Sequence, residues 1–173
     1  MDMELKNLLR AKKSTILKKW FDAVADTYPD NTSSFLKKQK AQFTNPVGYT
    51  LSEGLEGLFE ALLKGVIPDA VATFLDSIIR IRAIQEFSPS EAVSFVFLLK
   101  KIVRQELGSE TLAQQRLRDE LAAFDSSVDD LALYAFDLYM KCREKIYELK
   151  ANEARNMTFR LLQQAKLIVD NQD

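Results

Sequence analysis

The sequence predicts an all-α fold, and three features support this prediction. Apolar residues recur at spacings of three, four and seven along most of the chain, as on one face of an amphipathic helix. No segment shows the alternation of apolar and polar residues that marks a half-buried strand. The five glycines and four prolines fall mostly where one helical pattern ends and another begins. A chain of 173 residues, 47% of them hydrophobic, can form one core, so we expect one domain of seven or eight helices.

The first half of the chain divides into four helical segments. Residues 3–27 carry one apolar stripe and predict a single long helix, and a weaker segment follows at 33–43. After a turn sequence at 45–48, the segment 47–63 is helical but contains Gly54 and Gly57. Glycines are unfavourable in a helix unless a neighbour packs close, so we expect another helix to cross there. Gly65 and Pro68 separate this helix from the next, which runs to about Glu86.

The strongest local signal is the sequence Ser88-Pro89-Ser90-Glu91. A serine N-cap, a proline at the first helical position and a glutamate at the third form a capping box, so a helix begins here. Its first turns are apolar on almost every face, which predicts a central helix surrounded by the others and ending at Gly108.

The second half of the chain has neither glycine nor proline after Gly108. We expect two helices separated at residues 125–127, with Ser126 and Asp129 capping the second. The last helix is long and has a seam close to heptad spacing, so we divide the chain into a domain at 1–150 and a helical extension at 151–173 that projects from it. The seam predicts a homodimer, with a tail that folds back or frays as the alternative. The predicted interface residues are Leu131, Leu138, Cys142, Ile146, Leu149 and Leu161.

The composition excludes several classes of function. The chain has no histidine, which excludes Ser-His-Asp and Cys-His catalysis, most zinc sites and the usual haem ligand. We therefore expect no catalytic residue, no metal site and no cofactor, and a protein that is not an enzyme. The acidic neighbours Asp129 and Asp130 are interpreted as a solvated helix start, not a catalytic pair. Cys142 is interpreted as a small core residue and not as a redox switch. A formal net charge of −1 gives no reason to expect nucleic-acid binding.

Two arginines stand among the isoleucines of the segment that ends near Glu86. Arg80 follows Asp76 by one turn, which predicts a surface ion pair. Arg82 has two interpretations. In the structural one it ties two helices together at a joint; in the functional one it faces the carboxylate or phosphate of a small effector together with Gln85. The joint would comprise Arg82, Glu86, Ser88 and Glu91.

The charges are unevenly distributed along the chain. All charges from Leu5 to Phe21 are positive, and all from Asp119 to Met140 are negative, so we expect the first and last helices to lie side by side or to meet across a dimer. A weak attraction to an anionic membrane surface is a further possibility, through Lys12, Lys13, Lys18 and Lys19. No apolar run is long enough to span a bilayer. With one cysteine and no signal-peptide pattern, we expect a cytoplasmic protein.

The helix pattern alone is compatible with either a globin or a helical bundle. Three stretches of the chain add a resemblance: "KKWFDAVADTYP", "FTNPVGYTLSEGLEGLFEALL" and "FLDSIIRIRAIQEFSPSEAVSFVFLLKKIV". Together they resemble the N-terminal domain of the stressosome co-antagonist proteins RsbR and RsbRD over most of residues 10–150. The resemblance implies a globin-like fold without haem, a dimer, and a signal-input module of a bacterial stress response. In that family a STAS domain with phosphorylated threonines normally follows, and we expect none in this chain.

Two functions follow as hypotheses. The first is a non-enzymatic sensory or regulatory module that forms a homodimer and acts through an unidentified protein partner. The second is a small-molecule or lipid carrier, or ligand sensor, with an interior pocket.

Overall fold

The computed structural model describes residues 3–38, 43–65, 69–112 and 114–165. Every regular element within these ranges is an α-helix, which confirms the all-α prediction, whereas the similarity to a globin stays a prediction. In chain order the helices are α1 (Met3–Ala11), α2 (Lys13–Ala25), α3 (Asp30–Lys38), α4 (Pro46–Lys64), α5 (Asp69–Ile84), α6 (Pro89–Leu112) and α7 (Gln115–Gln164). Residues 39–42 of the predicted second segment, Pro68, and residues 166–173 of the predicted extension lie outside the described ranges.

The predicted helix over residues 3–27 is two helices, so that prediction was wrong at its centre. The backbone leaves helical geometry at Lys12, where φ is −102° and ψ is 7°. The apolar residues on the two sides of the break pack on different partners, since α1 contacts α7 whereas α2 contacts α4 and α6. One straight helix could not contact α4, α6 and α7 with a single apolar face. The break at Lys12 lets α1 and α2 take different directions, so that each contacts its own partners.

The crossing predicted from Gly54 and Gly57 is confirmed, and the crossing helix is α5. A Cβ atom at Gly54 would lie 2.8 Å from Cδ1 of Ile78, and one at Gly57 would lie 2.4 Å from Cδ2 of Phe74. Both distances are below van der Waals contact, so α4 and α5 approach each other where α4 has no side chains.

The capping box at the start of α6 is confirmed. The Ser88 backbone N–H donates to Oε2 of Glu91 at 3.0 Å, and the Glu91 N–H points back to Oγ of Ser88 at 3.4 Å. Helical geometry stops at Gly108, where φ is 74° and ψ is 163°, so the predicted end is confirmed and α6 continues to Leu112 only across this kink.

Helix α6 lies between α2 and α7, but it is not surrounded as predicted. Trp20 of α2 is fully buried and donates its indole N–H to the carbonyl oxygen of Phe95 at 2.7 Å. Phe97, however, is 45% exposed, so the face of α6 turned away from the core is open. The apolar residues of α6 therefore lie on three sides of the helix. Two sides are buried against α2 and α7, and the third is exposed.

Helix α7 is continuous from Gln115 to Gln164, so the two-helix prediction was wrong. The hydroxyl groups of Ser126 and Ser127 do not cap a new helix; each donates to the carbonyl oxygen four residues earlier at 3.2 Å. Asp125 and Asp129 pair with Arg104 and Lys100 of α6 instead of starting a helix. Pairing along α6 thus overrides the weak helix propensity of this stretch.

The predicted long, projecting last helix is confirmed. Helix α7 has 50 residues, which at ~1.5 Å per residue gives a rod of about 75 Å. Every residue from Tyr147 to Leu161 is exposed, so this part of α7 extends beyond the helices that cover its first half. We call residues 147–161 the tail.

Candidate functional site

The Arg82 side chain lies in a buried cage. Arg82 is 0% exposed, and its Cζ atom lies 4.4 Å from the ring centroid of Phe87, 5.4 Å from that of Phe95 and 5.5 Å from that of Tyr28. Its Nη2 donates to Oγ1 of Thr27 at 2.8 Å. We call these five residues the Arg82 cage. Aromatic ring faces attract a guanidinium, so the cage holds the cation with rings and one hydroxyl instead of a carboxylate.

Three polar atoms of the cage have no hydrogen-bond partner in the described part of the chain. They are Nε and Nη1 of Arg82 and the hydroxyl oxygen of Tyr28. Burial lowers the pKa of the Arg82 guanidinium and raises the pKa of the Tyr28 hydroxyl. An arginine nevertheless keeps its charge at neutral pH, so the cage contains a positive charge and unused hydrogen-bond donors.

The predicted joint is assembled only in part. Ser88 and Glu91 meet in the capping box, where Oγ of Ser88 also donates to Oε2 of Glu91 at 2.6 Å. Glu86 has a left-handed backbone, with φ 61°, and its carboxylate lies 3.6 Å from Nζ of Lys150. Arg82 lies at this joint, but its hydrogen bond runs to Thr27 at the end of α2 and to neither glutamate.

The predicted ligand pair is separated. Arg82 is buried whereas Gln85, three residues later, is exposed. The two side chains therefore face different surroundings, and Thr27 and Tyr28 are the polar neighbours of Arg82. No local pattern could predict these neighbours, because Thr27 and Tyr28 are more than fifty residues away from Arg82.

Helix α7 binds the joint directly, a feature that the sequence analysis missed. The Tyr139 hydroxyl donates to the carbonyl oxygen of Phe87, and Nη1 of Arg143 donates to the carbonyl oxygen of Ala83 at 3.1 Å. These carbonyls belong to the end of α5 and the link to α6, where a helix leaves acceptors unsatisfied. Phe87 thus contacts Arg82 with its ring and α7 with its backbone.

The predicted interface residues divide between the core and the surface. Leu131 is 1% exposed and lies in the core of its own chain. Leu138, Cys142 and Ile146 are half-buried against that core, and only Leu149 and Leu161 are largely exposed, at 59% and 62%. Burial raises the pKa of the Cys142 thiol, which keeps it protonated and unreactive at neutral pH.

A second stripe on α7, which the sequence analysis missed, faces away from the core. Its members are separated by three, four, seven, four, three, four and three residues, which is a heptad pattern. Leu133 is 67% exposed, Phe136 41%, Met140 38% and Tyr147 56%. We call it the outer stripe: Leu133, Phe136, Met140, Tyr147, Ala151, Ala154, Thr158 and Leu161. The signal was present in the sequence but was masked by the more apolar seam that enters the core.

Two surface grooves lie on other faces of the molecule. A groove of about 430 Å³ between α2, α3 and α4 has Leu17, Phe21 and Leu36 in its lining and charged residues, among them Lys18 and Glu53, beside them. A groove of about 320 Å³ between α5 and α7 is lined in part by Ile84, Cys142 and Ile146. The second groove lies beside the base of the tail.

In the part of the chain that the structure describes, Lys12, Lys13 and Lys19 pair with glutamates of α4 and α6 and not with the acidic segment of α7. Lys13 lies 2.7 Å from carboxylate oxygens of both Glu56 and Glu60, and Lys19 lies 2.5 Å from Glu106. Lys12 is 4.0 Å from the same Glu106. Three of the four lysines of the suggested membrane surface therefore form ion pairs with glutamates of α4 and α6. Helix α1 instead contacts α7 through a hydrogen bond from the Leu5 N–H to Glu120, at 2.9 Å, and through an ion pair of Glu4 with Arg116, at 3.9 Å.

The predicted surface ion pair of Arg80 is confirmed, with Nε 2.5 Å from Oδ2 of Asp76. Among the described residues, no three acidic, cysteine or histidine side chains are placed to hold a metal ion. Over the same residues, no helix is both long enough and apolar enough to cross a membrane.

Comparison with known proteins places these features in a family. The family model described as "RsbT co-antagonist protein rsbRD N-terminal domain" matches residues 14–154. This match begins at the start of α2 and ends within the tail, so it includes the Arg82 cage and most of the outer stripe. No curated protein and no solved structure matches the chain. The chain belongs to the RsbT co-antagonist rsbRD N-terminal domain family, a family of regulatory domains in stress signalling.

Proposed function

We propose that this protein is a non-enzymatic, haem-free signal-input module that acts as a homodimer and passes its state to a partner protein through the tail. The family supports the regulatory role, and the exposed tail is the observation that supports the mode of action. We place this activity in the cytoplasm, where a lone, protonated cysteine is stable.

The tail supports the proposal because its exposure is costly for a single copy. A helix of fifteen residues with almost no tertiary contacts is marginally stable in water, and an exposed ion pair such as that of Lys150 with Glu86 adds little. The tail nevertheless presents large apolar side chains to solvent: Tyr147, Leu149, Met157, Phe159 and Leu161 are all at least 45% exposed. Burial of these side chains against another protein would stabilise both the helix and the complex.

The outer stripe supports a second copy of the chain as one partner. Heptad spacing lets two identical helices pack side by side with the same residues on both, as a twofold axis requires. Phe97, 45% exposed on the open face of α6, adds an apolar contact from the neighbouring helix. The members of the predicted seam that lie closer to the core, such as Leu131, are already buried within the chain.

The tail has other faces that the outer stripe does not use. Leu149 and Phe159 lie off the stripe and are 59% and 45% exposed. In a dimer joined by the outer stripe they stay available, and we assign them to the partner protein. Exposed aromatic and leucine side chains on a helix are typical anchors for a groove on a second protein.

One observation favours the alternative function, a small-molecule or lipid carrier. The groove between α2, α3 and α4 has a volume of about 430 Å³, within the range of about 300–1,000 Å³ of ligand pockets. Its mixed lining of apolar and charged residues suits an amphipathic molecule. It is a surface groove, however, whereas the sequence led us to expect an interior pocket.

Removal of the tail tests the proposal. We compare a tagged full-length chain with one that ends after Ile146 and with the pair of substitutions Leu149→Ser and Phe159→Ser. Proteins captured from a lysate are identified by mass spectrometry. We expect one partner that the full chain captures and both variants lose, while circular dichroism shows that the variants stay folded. Equal capture by all three proteins would refute the role of the tail.

A further inference from the structure

We infer that the Arg82 cage binds a small monovalent anion, or the carboxylate group of a small molecule, at the two free nitrogens of the guanidinium. This inference deepens the proposed function and rests on it, because it names the chemical class of the signal. The cage is a binding site in the interior of the domain, separate from the outer stripe and from both grooves.

Among the described residues, no carboxylate forms an ion pair with Arg82. Buried guanidinium groups are normally paired with an acid, because an unpaired buried charge strongly destabilises a fold. Burial lowers the pKa of Arg82, and Glu91 is near enough to offset part of this shift by its charge. Its Oε2 atom, however, accepts hydrogen bonds from the backbone and the side chain of Ser88, and not from Arg82. An anion in the cage would supply the missing negative charge.

The unused atoms specify the chemistry of the ligand. Nε and Nη1 of Arg82 can only donate, so they require an acceptor. The Tyr28 hydroxyl is the third unused group, and a phenol donates readily to an anion. Thr27 adds no further donor, because its hydroxyl donates to the Val24 carbonyl at 2.7 Å while accepting from Nη2.

The surroundings limit the size of the ligand. Three rings lie with their centroids within 5.5 Å of Cζ of Arg82, and the arginine is fully buried, so an anion reaches its two nitrogens only when a side chain of the cage moves aside. Chloride, nitrate and the head of a short carboxylic acid are small anions and require the least movement of this kind. Access is short, because Thr27, which touches the guanidinium, is exposed at the surface.

The cage is connected to the helix that we propose as the output. Phe87 packs its ring on the guanidinium and accepts a hydrogen bond from Tyr139 of α7 through its carbonyl oxygen. An anion that draws Arg82 towards Tyr28 changes the contact with Phe87. A change at Phe87 acts on the register of α7 at the base of the tail.

Anion-dependent stability tests the inference on the intact chain. We titrate sodium chloride, sodium nitrate and sodium acetate into the protein, follow the urea midpoint, and hold the ionic strength constant with sodium isethionate, whose anion is a larger sulfonate and not a carboxylate. Specific binding stabilises the folded state in a saturable way. We expect a saturable rise with chloride or nitrate if the ligand is a free inorganic ion, and with acetate if it is a carboxylate.

Three variants assign the effect to the cage. Arg82→Met removes the charge at similar volume and should abolish the dependence on the anion. Tyr28→Phe removes one donor and should weaken the apparent affinity about fivefold to tenfold. Arg80→Met, at an exposed arginine two residues away, is the control and should behave as the wild type. If Arg82→Met does not fold, the comparison of Tyr28→Phe with Arg80→Met decides.

Two outcomes would overturn the inference. One is a wild-type midpoint that does not depend on the identity of the anion; the other is a dependence that Tyr28→Phe and Arg82→Met retain in full. The mass of the protein is measured in the same samples. A dimer without an anion effect would overturn the binding site alone, whereas an anion effect in a monomer would overturn the proposed dimer alone.

Discussion

Substitution of Phe136 should weaken the dimer by a calculable amount. Phe136 lies on the outer stripe and keeps 41% of its surface exposed in the single chain. Full burial of a phenylalanine side chain stabilises by about 1.5–3 kcal/mol, so burial of the remaining surface contributes about 0.6–1.2 kcal/mol. A twofold dimer buries Phe136 of both copies, so the two residues together stabilise the dimer by about 1.2–2.4 kcal/mol. The Phe136→Ala substitution should therefore raise the dimer dissociation constant about sevenfold to fiftyfold.

Sedimentation equilibrium over a range of protein concentrations measures this constant directly. Phe136→Asp should have a larger effect than Phe136→Ala, because it places two carboxylates in an apolar contact. Phe35→Ala is the matched control, since Phe35 is 48% exposed but lies on α3, away from the outer stripe. Equal dissociation constants for the two alanine variants would refute the assignment of the interface.

Two further predictions concern the stability of the single chain. Asn45 is 1% exposed, accepts a hydrogen bond from the Gly48 N–H at 2.8 Å and donates one to the Leu36 carbonyl at 3.1 Å. The Asn45→Ala substitution should therefore lower the free energy of unfolding in urea by about 2–4 kcal/mol. Ser88→Ala, at an exposed N-cap, should lower it by about 1 kcal/mol. Equal losses of unfolding free energy in the two variants would show that the hydrogen bond of Asn45 to Leu36 does not stabilise the fold beyond the helix cap. Hydrogen bonds from Ser88 hold the pKa of Glu91 below its usual value, so this carboxylate stabilises the fold above about pH 4.5 and loses its effect as the pH falls through the lower folded value. As the pH falls below about 4.5, the unfolding free energy of Glu91→Gln should fall less steeply than that of the wild type, and parallel curves would contradict the cap.

The parts of the fold that were predictable from sequence depend on local chemistry. The capping box at Ser88 needs only four adjacent residues, and the crossing of α4 with α5 is marked by Gly54 and Gly57 in a helix that is otherwise apolar. The break at Lys12 has no glycine, proline or cap to mark it, because it is imposed by the different helices that α1 and α2 contact.

The continuity of α7 shows how tertiary contacts override a local signal. Asp125, Ser126 and Ser127 favour a helix start, but ion pairs with α6 on either side of the two serines hold the helix straight through them. The ion pairs join residues more than twenty positions apart in sequence, so a local pattern could not reveal them.

The candidate sites were predicted less completely than the fold. Arg82 was recognised, because an arginine among isoleucines is unusual, but its neighbours Thr27 and Tyr28 come from the end of α2 and the turn after it. The interface was assigned to the more apolar of two stripes on α7. The more apolar stripe is the one that the core takes, so the less apolar outer stripe is the one left for a partner.

Native mass spectrometry of the freshly purified, full-length protein tests the central claim most directly. We predict a dominant species with twice the 19.8 kDa mass of the chain, free of any organic ligand other than a small carboxylate. A species of 19.8 kDa at micromolar concentrations would contradict the proposed dimer, and a bound lipid or larger organic molecule would favour the carrier function instead.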